Sequence, residues 1–113
     1  MQLETRKLLE DVRRAAEKIM LFTAERTRDD FARDDLLRSA VERQFEIIGE
    51  ALNRLLHSDD AILKRITDYR RIIAFRNVLI HGYDAVDDEI VWDAVTTKLP
   101  ILRSEVDQLI GPT

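Results

Sequence analysis

Residues 76–83, with the sequence R-N-V-L-I-H-G-Y, bring together three side chains that can do chemistry. Arg76 supplies a permanent cation, His81 an imidazole that titrates near neutral pH, and Tyr83 a phenol. On an α-helix, Arg76 and Tyr83 would lie within about 20° of each other around the axis, and Arg76 and His81 about 140° apart. Because the chain has only two histidines and no cysteine, this segment is where a function is expected.

These groups suit the cleavage of RNA without a metal ion. In that reaction the 2′-hydroxyl attacks the adjacent phosphate, which requires a base, an acid for the leaving 5′-oxygen, and a cation for the phosphorane. Histidine suits both proton transfers, and the planar fork of arginine binds two phosphate oxygens at once. The segment holds one histidine, so a second must come from elsewhere. His57 is interpreted as an exposed or capping residue, and a symmetric dimer is the economical source.

The motif resembles the R-x4-6-H-x-Y motif of the HEPN superfamily, and closely that of the HepT-like toxins. Arg76, His81 and Tyr83 occupy the matching positions. The resemblance covers nearly the whole chain, because three further segments are similar to segments of the family: F-E-I-I-G-E-A at 45–51, I-V-W at 90–92 and K-L-P at 98–100.

The resemblance implies the toxin of a type VII-like toxin–antitoxin system, a metal-independent endoribonuclease with a composite site at the cleft of a homodimer. Arg76 and His81 would be catalytic, with Asn77 and Tyr83 in supporting or substrate-binding roles. The substrate would be an RNA such as tRNA or mRNA, with no cofactor and no metal. The partner would be a minimal nucleotidyltransferase antitoxin that attaches AMP to Tyr83, placing a bulky anion beside Arg76 and His81. Assembly beyond the dimer stays open.

Two other functions are also consistent with the sequence. One is a non-catalytic helical dimer that binds and positions a nucleotidyltransferase or a nucleotide, which agrees with the net charge of −4. The other is a nucleotide-binding accessory domain. A local phosphate-binding patch is nevertheless indicated, since residues 64–76 contain five basic residues and one acid.

A purely structural interpretation of the motif is also available. Arg76 would then pair with Glu46 or Glu50, while His81 caps its own helix. Asn77 would orient the imidazole, contact substrate or simply lie on the surface. Glu46 and Glu50, one helical turn apart, resemble a metal-binding pair, but two carboxylates on a solvated helix face are more often structural.

Composition and periodicity predict one all-α domain over residues 1–113, an up-and-down bundle of four or five helices. The chain has few glycines and prolines and 35% charged residues, and it is expected to be cytoplasmic. Helices are predicted at 3–23, 34–57 and 69–81, followed by one that Asp87 or Asp88 caps and Pro100 breaks or kinks. Residues 25–33 are predicted to be a loop held by Phe31.

Two further expectations concern the packing of these helices. Gly49, inside the second long helix, is expected to permit close approach, either by the motif helix or by a partner chain. The motif helix is expected to turn four apolar side chains inward: Ile72, Ile73, Leu79 and Ile80.

Overall fold

The computed structural model describes residues 1–82 and 86–112, and over these ranges it contains helices and no strand. In chain order the helices are α1 (Leu3–Thr23), α2 (Arg28–Arg33), α3 (Asp35–Ser58), α4 (Asp60–Leu63), α5 (Tyr69–His81), α6 (Asp88–Asp93) and α7 (Leu99–Ile110), with a π-helical turn (Ala94–Lys98) joining α6 to α7. The predicted all-α class is confirmed. Four long helical stretches match the prediction, and α2 and α4 are short additions. The homodimer stays a prediction.

The core lies between α1, α3 and α7, with α1 packed along α3 and α7 packed on α1. Apolar residues recur at three- and four-residue steps on each helix, so each presents one apolar stripe to the others. The fully buried side chains of this core are mostly aliphatic and include Leu9, Val12, Ile19, Val41, Ile48, Leu52, Leu55, Leu99 and Val106. Among the described residues, no helix is both long and apolar enough to span a membrane.

The predicted loop at residues 25–33 is wrong in part, because six of its residues form α2. The reason is a capping box: the backbone N–H of Asp30 donates to Thr27 Oγ1, and the backbone N–H of Thr27 donates to the Asp30 carboxylate. The hydrogen bond from the Thr27 backbone also lowers the pKa of Asp30. Phe31 is fully buried and contacts Trp92 at 5.5 Å between ring centroids, so its anchoring role is confirmed.

Helix boundaries elsewhere follow the predicted caps. The Asp34 carboxylate accepts from the backbone N–H of Leu37 at the start of α3, and Asp87 accepts from that of Glu89 at the start of α6. Pro100 does not break the last helix. It lies in the first turn of α7, directly after the π-helical turn, where a missing backbone N–H is tolerated.

Helix α5, which carries the motif, lies at the edge of the bundle and packs chiefly on α3. Leu79 is its one fully buried residue, while Ile72 and Ile73 are half-buried. The prediction that Ile80 points inward is wrong, since Ile80 is 39% exposed. A helix with one main neighbour buries a narrow stripe, and Ile80 lies outside it.

Candidate functional site

Three of the four predicted site residues lie on α5. Arg76 and Asn77 are in its second half, and His81 is its last residue. The helix ends at the predicted boundary, and the backbone N–H of Gly82 donates to the carbonyl of Val78. The φ of −135° at Gly82 shows that the helix stops without the left-handed conformation that glycine often supplies there. Tyr83 lies outside the described residues.

Gly49 on α3 is the point where α5 comes closest. A Cβ atom at Gly49 would lie 2.2 Å from Cβ and 2.6 Å from Cγ of Arg76. Atoms of a side chain cannot approach so closely, so only glycine leaves room for the stem of Arg76 at this crossing. Of the two roles predicted for Gly49, this is the approach of the motif helix.

We expect Gly49→Ala to destabilise the protein, because the added methyl group forces α5 away from α3 at a cost of about 2–3 kcal/mol, the upper part of the usual range for overpacking. That loss exceeds the gain of about 1 kcal/mol that alanine normally brings to a helix interior. Urea unfolding measures the effect. Gly82→Ala is the matched control, since its Cβ would meet only a carbonyl oxygen at 3.4 Å. Equal stability of Gly49→Ala and the unsubstituted protein would contradict the expectation.

The guanidinium of Arg76 is held from two sides. Its Nη2 atom donates to Glu50 Oε2 at 2.6 Å, and its Nη1 atom donates to Asn77 Oδ1 at 2.9 Å. The other oxygen of Glu50 lies 3.6 Å from Nε of Arg54. The ion pair anticipated in the structural interpretation is therefore present. Asn77 contacts the arginine, a role that was not among those predicted for it.

The pair between Arg76 and Glu50 is only partly shielded from water. The side chain of Glu50 is 47% exposed and that of Arg76 is 21% exposed. Ion pairs of this kind stabilise a fold little, because water screens them and competes for both groups. The Arg76 side chain is therefore still partly open to solvent.

His81 is exposed at the end of α5. On the helix, His81 lies about 40° from Asn77 and about 60° from Val78 around the axis, whereas Leu79, the buried residue, lies on another side. Val78 is 46% exposed. One face of α5 thus presents an imidazole, an amide and an apolar side chain to solvent in this chain.

The second histidine lies on another helix and has a local partner. His57 is exposed, and its Nδ1 atom is 2.9 Å from the backbone carbonyl oxygen of Asn53, one turn earlier on α3. This contact stays within α3 itself. The interpretation of His57 as an exposed or capping residue is confirmed.

The two acids that resemble a metal-binding pair each have an arginine partner. Glu46 Oε2 lies 3.6 Å from Nη1 of Arg43, and Glu50 binds Arg76. Both acids line a cavity of about 330 Å³ between α1, α3 and α5. Four of its lining residues are apolar and five are charged: Leu8, Ile47, Ala51 and Ile80, and Asp11, Arg43, Glu46, Glu50 and Arg54. The cavity therefore opens next to the acid that holds Arg76.

Glu50 was not predicted to be a site residue. It was named only as one of two acids with which Arg76 would pair in a purely structural arrangement. The signal was the glycine: a residue without a side chain, directly before an acid, marks the place where the motif helix and a carboxylate meet.

Comparisons with known proteins give a consistent result. The model of the family described as ribonuclease HepT-like matches residues 12–109. A candidate RNase of Methanocaldococcus jannaschii is 33% identical over 108 residues, which cover 95% of this chain and 88% of that protein. A probable ribonuclease HepT of Thermococcus cleftensis is 36% identical over 101 residues, covering 89% and 91%. A second candidate RNase of M. jannaschii is 29% identical over 104 residues, covering 92% and 94%. No solved structure matches the chain significantly.

Proposed function

The chain belongs to the ribonuclease HepT-like family, and from this premise we propose that it is the endoribonuclease toxin of a toxin–antitoxin pair. It cuts RNA without a metal ion, at a site built from Arg76 and His81 of two chains. The observation that carries the proposal is the pair of hydrogen bonds that hold the Arg76 side chain. Its guanidinium is fixed at the surface of α5, on the same helix as the exposed His81.

The two residues have distinct roles in the proposed reaction. His81 of one chain takes the proton of the 2′-hydroxyl, and His81 of the other gives a proton to the leaving 5′-oxygen. Arg76 stabilises the charge that builds up on the phosphate oxygens. Both proton transfers need an imidazole that RNA can reach, and an exposed His81 meets that need.

The outer side of α5 supports a dimer. The helix packs chiefly on α3, and Val78, which shares a face with Asn77 and His81, is 46% exposed. A twofold contact through this face would bury Val78 and bring two copies of His81 together. Arg70 and Arg71, exposed at the start of the same helix, would flank the cleft and bind the RNA backbone.

Intact RNA after incubation with the purified protein in EDTA, at every concentration tested, would contradict this proposal. Cleavage under those conditions is the expected result. A non-catalytic module that positions a nucleotidyltransferase or a nucleotide is the second candidate, and the pair between Arg76 and Glu50 favours it, because that pair already occupies part of the guanidinium. Such a module would shift the mobility of RNA or nucleotide without cutting it.

The proposed regulation is the attachment of AMP to Tyr83 by a cognate minimal nucleotidyltransferase. Tyr83 follows His81 by two residues, so an adenylyl group there would lie close to the catalytic imidazole. The added phosphate would compete with RNA for the guanidinium of Arg76, and the nucleoside would occupy the approach to the cleft. The modification would therefore block substrate binding without unfolding the protein.

Co-expression with such a nucleotidyltransferase is expected to raise the mass of this chain by whole AMP units and to abolish RNA cleavage. Intact-mass and peptide mass spectrometry measure the change and its position. Tyr83→Phe is the control, because it keeps the ring and removes the acceptor hydroxyl. Loss of toxicity with Tyr83 unmodified would contradict this regulation and favour inhibition by complex formation.

A further inference from the structure

Glu50 is the acid that holds the proposed catalytic arginine. Its Oε2 atom accepts from Nη2 of Arg76 at 2.6 Å, while its Oε1 atom lies 3.6 Å from Arg54, one turn further along α3. We propose that Glu50 is a positioning residue, which orients the guanidinium of Arg76 for the phosphate of the RNA. This inference rests on the proposed endoribonuclease function and adds a residue on a second helix to its site.

The hydrogen bonds of Arg76 leave the right donors for a phosphate. A guanidinium has five N–H groups, two on each terminal nitrogen and one on Nε. Glu50 takes one from Nη2, and Asn77 takes one from Nη1. The Nε atom is buried and has no partner among the described residues. One N–H therefore remains on each terminal nitrogen, and these two N–H groups are the donors left for phosphate oxygens.

The orientation depends on both ends of the arginine side chain. Gly49 lets the stem of Arg76 lie against α3, and the next residue, Glu50, binds its head. The stem and the head are thus fixed by two consecutive residues of one helix. An arginine held less firmly would rotate about its side-chain bonds and would lose that conformational freedom on binding the phosphate. Because the side chain is fixed beforehand, this entropic cost is not added to the barrier of the reaction.

A purely stabilising role explains the arrangement less well. Both members of the pair are partly exposed, so the bond contributes little to the free energy of unfolding. Glu46, one turn earlier on the same helix, serves as the comparison. It lines the same cavity and pairs with an arginine, but that arginine is Arg43, which is 68% exposed and is not part of the motif.

The test compares RNA cleavage by Glu50→Ala, Glu50→Gln and Glu46→Ala. We expect Glu50→Ala to lower kcat by about tenfold or more with a smaller change in KM, because a misplaced arginine fails mainly in the transition state. Glu50→Gln keeps an oxygen that accepts from Nη2, so it should restore most of the lost kcat. Glu46→Ala should cut RNA like the unsubstituted protein. Equal losses in Glu50→Ala and Glu46→Ala, or no rescue by glutamine, would overturn the proposal.

A second measurement does not depend on cleavage. In NMR spectra of the guanidinium nitrogens, the terminal groups of Arg76, identified by their absence in Arg76→Lys, should rotate slowly in the unsubstituted protein and in Glu46→Ala. They should rotate fast in Glu50→Ala. Unchanged Arg76 signals in Glu50→Ala would overturn the assignment whatever the activity. Slow rotation that depends on Glu50, in a protein that leaves RNA intact, would support the assignment and contradict the endoribonuclease function.

Discussion

His81→Ala is expected to lower the rate of RNA cleavage by about 10²–10⁴-fold, the usual contribution of a general acid or base. In a symmetric site the substitution removes both proton-transfer groups at once, so the upper part of this range is expected. His81 is exposed at the last position of α5, and its side chain takes no part in the buried core. The fold should therefore survive unchanged.

Cleavage of a labelled RNA in EDTA measures this effect, and circular dichroism with thermal unfolding checks the fold. His57→Ala is the matched control, because it removes the other histidine of the chain, which binds a carbonyl of its own helix. We expect that variant to cut RNA normally. Undiminished cutting by His81→Ala, in a preparation free of other nucleases, would reject the catalytic assignment.

Mixing inactive and active chains is expected to suppress activity more than dilution alone. If each active site needs two intact His81 residues from two chains, a mixed dimer is inactive, and activity follows the square of the active fraction. With about a tenfold excess of His81→Ala, the unsubstituted chain should retain about a tenth of its own activity, whereas chains that work alone would retain all of it.

The mixture is prepared by unfolding both proteins in urea and refolding them together, so that chains exchange freely. The His57→Ala protein, added in the same excess, is the control and should raise the total activity. Full activity of the unsubstituted chain in the presence of His81→Ala would contradict a site shared between two chains, even if His81 is essential.

The long helices could be predicted because local rules determine their boundaries. Side chains of Asp34 and Asp87 cap the helices they precede, and the apolar stripes have a helical period. The short helix α2 was missed because its residues are polar and carry no stripe. Its only local signal is the reciprocal pair of Thr27 and Asp30, a three-residue spacing that also occurs in loops. That residues 1–113 form a single domain stays a prediction.

The site was predictable in type but not in arrangement. The motif identified Arg76, Asn77 and His81 as site residues. Whether Glu46 or Glu50 pairs with Arg76, however, depends on how α5 is rotated against α3. That rotation is set where Arg76 meets Gly49, a contact between residues 27 positions apart. Ile80 was misjudged for the same reason, because the width of a buried stripe depends on how many helices surround it.

The π-helical turn at Ala94–Lys98 accommodates one residue more than a regular α-helix could hold in the same register. Buried residues before and after the turn, such as Val91 and Ile110, face the same core. These two residues are 19 positions apart, which in an ideal α-helix would place their side chains about 100° apart around the axis. The wider turn absorbs one surplus residue and cancels this drift. Deletion of one residue within the turn would therefore leave a regular α-helix with both halves still facing the core, whereas insertion of one more residue would rotate one half by about 100° relative to the other.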